Sequence, residues 1–171
     1  DQTRMMSIVT TGSETGYYVD VFRSRKERGG DKMHDYFYHN LGQTMALTAA
    51  DGTDLNLQPT EELAFAGAHL YGYSYLYDKK VAATGKDVKA TFTIDMKDKG
   101  GDDIVMNLWM KGEPDREVFT ALSPMTEGLS RTPGMPYNIK EQPTLTFVAR
   151  QHGEAWTRPF VAVYEPSTKK E

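Results

Sequence analysis

The 171-residue chain contains no cysteine, which excludes a disulfide framework and any cysteine nucleophile. It has no apolar run near the ~20 residues that span a bilayer as a helix. Charge of one sign is not in excess. Twenty basic and 24 acidic residues leave a net charge of −4, and the basic ones are scattered, which argues against a nucleic-acid partner. No membrane partner is expected either. Glycine-rich phosphate cradles of the GxGxxG and GxxxxGK[ST] kinds are missing, as are the G-x-S-x-G elbow and the HExxH zinc motif. Four histidines, His34, His39, His69 and His152, are too dispersed to read as a metal motif. Neither a metal nor a cofactor is therefore expected, although folding could carry two histidines beside Asp20 or Asp35. No signal peptide is evident. The opening DQTRMM, without an initiating methionine, reads as a mature form or a piece of a longer protein.

What is present is a succession of short alternating segments broken by glycine, proline and charge. Strands are expected at 5–11, 17–23, 33–39, 44–49, 70–80, 89–96, 104–110, 116–123, 144–151 and 158–165. In YYVDVFR, Tyr17, Val19, Val21 and Arg23 share one face, and Tyr18, Asp20 and Phe22 the other. The Gly29–Gly30 pair suggests that 17–39 is one long hairpin, with RSRKER (23–28) as its solvated loop or as a polyanion contact. Residues 144–151 and 158–165 read as a closing hairpin around HGEAWT. Thr60 followed by Glu61 and Glu62 favours a helical turn within 60–68. The proline-containing stretch 124–143 reads as a loop or lid. The expected architecture is one all-β domain over 1–171, an antiparallel β-sandwich, with a barrel as the alternative.

Two clusters invite a functional reading. DKMHDYFYHN (31–40) holds two histidines, three aromatics and two acids. On an extended strand His34, Tyr36 and Tyr38 point one way, and Asp35, Phe37 and His39 the other, so the histidines do not form a ligand pair. Phe37 is expected to face the core, with His34 and Tyr38 outward. A histidine near neutrality beside a tyrosine suits proton transfer, which makes His34 and Tyr36 the candidate catalytic pair. Half-buried sheet packing explains the same residues. In LYGYSYLYDKK, Tyr71, Tyr73, Tyr75 and Tyr77 recur at period two, which would place four phenols on one side of a strand. Such a row suits sugar rings or the packing face of a sandwich. Arg23, Tyr38, His39, Tyr73 and Tyr75 are the candidate substrate contacts. Trp109 and Trp156 read as core or seam residues.

Three blocks in order carry a resemblance: GYYVDVFRSRKERGGDKMHDYFYHNLG (16–42), VMNLWMKGEPDREVFTALSP (105–124) and PTLTFVARQHGEAWTRPFVAVYEP (143–166). Together they resemble the C-terminal β-domain of heparinase II/III-like polysaccharide lyases, including the oligoalginate lyase branch. The resemblance implies a bacterial periplasmic or secreted parent enzyme with an N-terminal α/α toroid, which cleaves acidic, uronate-containing polysaccharides by β-elimination. It also implies that this chain is the C-terminal part of that parent. The family's upstream HxH motif has no match here. His34, Asp35, Tyr36 and His39 match only a downstream motif, so the chain alone is expected to be inactive. A stand-alone carbohydrate-binding or structural β-sandwich is the alternative.

Overall fold

The computed structural model describes residues 1–28, 30–64, 71–126, 128, 131–134, 139 and 141–169. Eleven strands follow one another: β1 (Gln2–Thr10), β2 (Gly16–Ser24), β3 (Met33–Asn40), β4 (Thr44–Ala49), β5 (Gln58–Pro59), β6 (Tyr77–Ala83), β7 (Val88–Ile94), β8 (Asp103–Met110), β9 (Arg116–Ser123), β10 (Thr144–His152) and β11 (Ala155–Lys169). They form two antiparallel sheets, one ordered β1-β2-β11-β8-β7-β4 and the other β3-β10-β9-β6-β5. We refer to them as the six- and five-stranded sheets. Both contribute to one core. Phe92, Leu108, Met110, Phe160 and Ala162 come from the first, and Tyr36, Val118, Phe147 and Ala149 from the second. The protein is an antiparallel β-sandwich, as the alternation predicts.

Two expected hairpins do not form. β2 lies between β1 and β11, and β3 pairs with β10 in the opposite sheet. Both edges of β2 are taken, and the eight residues 25–32 are long enough to cross the ~10 Å between sheets. Asp20 and Tyr36 then meet across the interior instead of along one sheet: the Tyr36 hydroxyl donates to Asp20 at 2.6 Å. In the same way β10 is already flanked by β3 and β9, so β11 passes to the other sheet. That crossing is made at Gly153, whose φ of 81° suits glycine. Glu154 fixes it by accepting from the amides of Trp156 (2.6 Å) and Thr157 (2.8 Å).

β10 is buried from Leu145 to Gln151, on both of its faces. The inner face meets the shared core. The outer face is covered by the segment before β6, where Leu63 and Leu76 pack with Phe119, Ala121 and Val148 in a second cluster that Phe37, Tyr73 and Val81 join. This cover decides the faces of β3. Tyr36 is 3% exposed and inside the sandwich, and Tyr38 packs beside it. Phe37 lies on the outer face, under the cover. The sequence parity is right, but inside and outside are exchanged relative to the expectation.

The tyrosine row is not a strand. Tyr71–Tyr75 form a 3-10 helix, and β6 begins only at Tyr77. Gly72 and Ser74, small residues between the tyrosines, favour the turn over a ladder. Residues 65–68 of the expected helical turn, and His69, lie outside the described residues. The two tryptophans join neither core cluster. The Trp156 ring lies under the Arg25 guanidinium (4.3 Å) and the Trp109 ring under the Lys89 ammonium (4.7 Å).

Candidate functional site

The outer row of β3 consists of Asp35, Phe37 and His39, and its register sets each opposite a β10 residue: Arg150, Val148 and Thr146. At one end the row is closed by charge. Arg150 grips Asp35 with two parallel bonds, Nε to Oδ1 at 2.8 Å and Nη2 to Oδ2 at 2.9 Å. Both side chains are under a tenth exposed. The Tyr73 hydroxyl donates to Asp35 Oδ2 at 2.6 Å. Burial first, and then the bond to Asp35, push the Tyr73 phenol well above its ordinary pKa, so it stays a donor. Its ring meets Phe37 edge-on at 5.2 Å. The 3-10 turn is thereby anchored to the sheet.

At the other end the row opens. A cleft of 430 Å³ is lined by Phe37, His39, Gly72, Tyr73, Tyr75, Leu76, Ser123 and Pro124. Phe37 and Tyr73 supply packed aromatic surface, and Tyr75 stands at 64% exposure. The His39 ring stacks on Phe37 at 6.0 Å. His39 Nδ1 hydrogen-bonds Thr146 Oγ1 at 2.9 Å, and that hydroxyl also bonds Ser123 Oγ at 2.7 Å. Partial burial of the imidazole lowers its pKa, which favours the neutral ring. The cleft can stack a ring and exchange hydrogen bonds with hydroxyls.

Three of the sequence-predicted residues, His39, Tyr73 and Tyr75, meet in this cleft. The others do not. Tyr36 is interior and out of a polymer's reach. Its hydroxyl is held by Asp20 and by the Tyr164 hydroxyl, and burial raises its pKa far above that of a usable base. Asp20, fully buried, is also gripped by Arg4, with Nε at 2.9 Å from Oδ1. Tyr38 faces inward too, its ring 4.9 Å from Tyr164 and 5.4 Å from Phe92. His34 lies at the far end of β3, bonded to Asp31 at 2.5 Å. It shares no hydrogen bond with Tyr36, so the candidate catalytic pair is not assembled. Arg23 is on the outer face of the six-stranded sheet and donates to the Trp156 carbonyl at 3.2 Å. Among the described residues no cluster of three histidines and carboxylates could hold a metal ion.

Sequence reasoning missed Phe37 as a lining residue, along with Ser123, Pro124 and the Asp35–Arg150 clasp. The signal for the clasp was present: Arg150 interrupts the apolar run of TLTFVARQ, and a charge there needs a buried partner.

The chain aligns over 99% of its length, at 36% identity, with the endo-acting ulvan lyase of Formosa agariphila. It is thus similar, end to end, to part of a polysaccharide lyase. The chain spans 20% of that protein's length. No protein-family model and no solved structure matches it. The comparison supports likeness to a polysaccharide lyase and not the narrower heparinase II/III-like assignment, to which the expected toroid is tied.

Proposed function

We propose that the chain is a β-sandwich domain of a larger polysaccharide lyase that acts by β-elimination on uronate-containing glycans, and that it holds the glycan without cleaving it. The end-to-end similarity to an ulvan lyase carries this reading. Ulvan is therefore the first polymer to test. Elimination at a uronate needs a group to neutralise the carboxylate, a base for the C5 proton and an acid for the departing oxygen. The described lining of the cleft offers one imidazole and several hydroxyls, with no cation beside them. That set suits holding a sugar, and the elimination chemistry falls to other parts of the parent.

Affinity electrophoresis through an ulvan-containing gel, run beside the ultraviolet absorbance of unsaturated product, tests both halves. Retardation without absorbance growth is expected. Turnover by the purified chain would make it catalytic. Free migration through ulvan and other uronate polymers would remove the glycan-holding role and favour a purely structural domain.

A further inference from the structure

We infer that the cleft is a subsite for an uncharged pyranose ring, and that it discriminates against the uronate units of the same polymer. This rests on the glycan-holding reading above and specifies the sugar class it takes.

Among the described residues, none lining the cleft carries a fixed charge. The Asp35–Arg150 ion pair bonded to Tyr73 is already committed. Asp35 accepts two bonds from Arg150 and one from Tyr73, and Arg150 also reaches Glu62 at 3.4 Å. Neither charge of that pair is left to meet a ligand. A uronate entering the cleft would shed water from its carboxylate and find no cation among the described lining residues, and burying an unpaired charge is strongly unfavourable. A ring with a hydroxymethyl group at C6, or with no C6 at all, has no such penalty. Its apolar face can lie on the exposed Tyr75 ring and the Phe37–Tyr73 pair. Its hydroxyls can meet His39 and Ser123, which already share Thr146 between them.

The size is consistent. A cleft of 430 Å³ is in the range of small-ligand sites and accommodates one or two rings rather than a long chain segment. Gly72 keeps one wall low: among the described residues a Cβ placed there would meet nothing within 4 Å, and its backbone is not left-handed.

The test is a matched series of methyl β-glucoside, methyl β-xyloside and methyl β-glucuronide, titrated into the intact chain and followed by NMR at His39 and Tyr75. The glucoside and xyloside should shift both resonances, with affinities that do not depend on salt. The glucuronide should bind at least about tenfold more weakly, the equivalent of one unsatisfied polar penalty. Tyr75→Ala should weaken glucoside binding about tenfold, as loss of an aromatic anchor does. Gly72→Phe should block it, and both variants should keep the native fold because their positions are open among the described residues. Equal or tighter glucuronide binding, strengthened at low salt, would overturn the inference. Retention of ulvan by the chain with no shift at His39 or Tyr75 would also overturn it, while leaving the glycan-holding role intact. Glucoside binding in the cleft without ulvan retention would support the subsite and count against that role.

Discussion

Arg150→Met removes one half of a buried ion pair and leaves the other half in place. Asp35 would keep only the Tyr73 hydroxyl, in a position where its side chain is 8% exposed. Stranding one buried charge in this way costs about 3–5 kcal/mol. The bond to Glu62 adds little, since that carboxylate is 49% exposed and such pairs contribute ~0–1 kcal/mol. Against a typical domain stability of about 5–15 kcal/mol the variant should still fold at room temperature. With an m-value of about 2 kcal/mol per M in urea, the unfolding midpoint should fall by roughly 1.5–2.5 M.

The decisive measurement is the cycle. Asp35→Leu should cost heavily by the mirror argument, because it strands the Arg150 guanidinium. The double variant should recover most of either loss, since replacing both members of a buried pair by apolar groups is often close to neutral. Tyr73→Phe, added as a third change, removes the hydroxyl that would otherwise lose its acceptor. The coupling energy between positions 35 and 150, read from urea titrations of the four proteins, should then exceed the loss in either single variant, about 3 kcal/mol or more. Additive losses, or a single-variant loss below about 1 kcal/mol, would show that the clasp is not what anchors the 3-10 turn to the sheet.

Three further outcomes are expected. Gly112→Ala should destabilise by about 1–3 kcal/mol or more in thermal or urea unfolding, because its Cβ would collide with backbone atoms of Gly85, Lys86 and Asp87; a neutral effect would mean the 85–87 loop moves freely. Burial raises the phenol pKa values of Tyr36, Tyr38, Tyr73 and Tyr164, the last to about 12. The unfolded chain ionises these groups near pH 10 while the folded one retains their protons, so their contribution is complete below about pH 10 and is lost as pH rises toward 12. The urea midpoint should decline across that window, less steeply in Tyr164→Phe, and a flat profile would contradict the burial argument. The His39 imidazole should titrate by NMR below the ordinary value of about 6.5, and a midpoint at or above it would mean the ring is fully solvated.

Period-two alternation made most of the strands legible, and β7, β8, β9 and β10 fall within a residue or two of where their apolar patterns place them. Strand partners were not legible. Nothing local in β2 records that β11, over a hundred residues later, takes the edge a hairpin would have used. The same limit explains the exchanged faces of β3. Parity separates Tyr36 and Tyr38 from Phe37 and His39, but both sets are aromatic, and both sides of that sheet are covered. Only the covering segment determines which side is the shared core. Tyr73 and Tyr75 reached the cleft by another route than the one expected. Their spacing suits a strand, but Gly72 and Ser74 allow a tight turn, and the turn brings them over β3 instead of into a ladder.

The location of the cleft follows from how the outer face of the five-stranded sheet is covered. β3 is an edge strand, bonded only to β10 among the described residues. Here the cover uses the outer row of the strand in sequence. Asp35 is locked beneath Arg150 and Tyr73, Phe37 is capped edge-on by the same tyrosine, and His39 is left at the rim. The 3-10 turn cannot follow the strand further, since the chain must descend at Leu76 to begin β6. Where the turn leaves the sheet, aromatic surface and one imidazole remain open to solvent, bounded on the far side by Ser123 and Pro124 at the end of β9. The clasp and the cleft are therefore successive positions on one strand: the charged pair fixes the turn, and the fixed turn presents Tyr75. If that coupling holds, Arg150→Met should loosen Tyr75 and weaken ligand binding at a site whose lining residues are all unchanged.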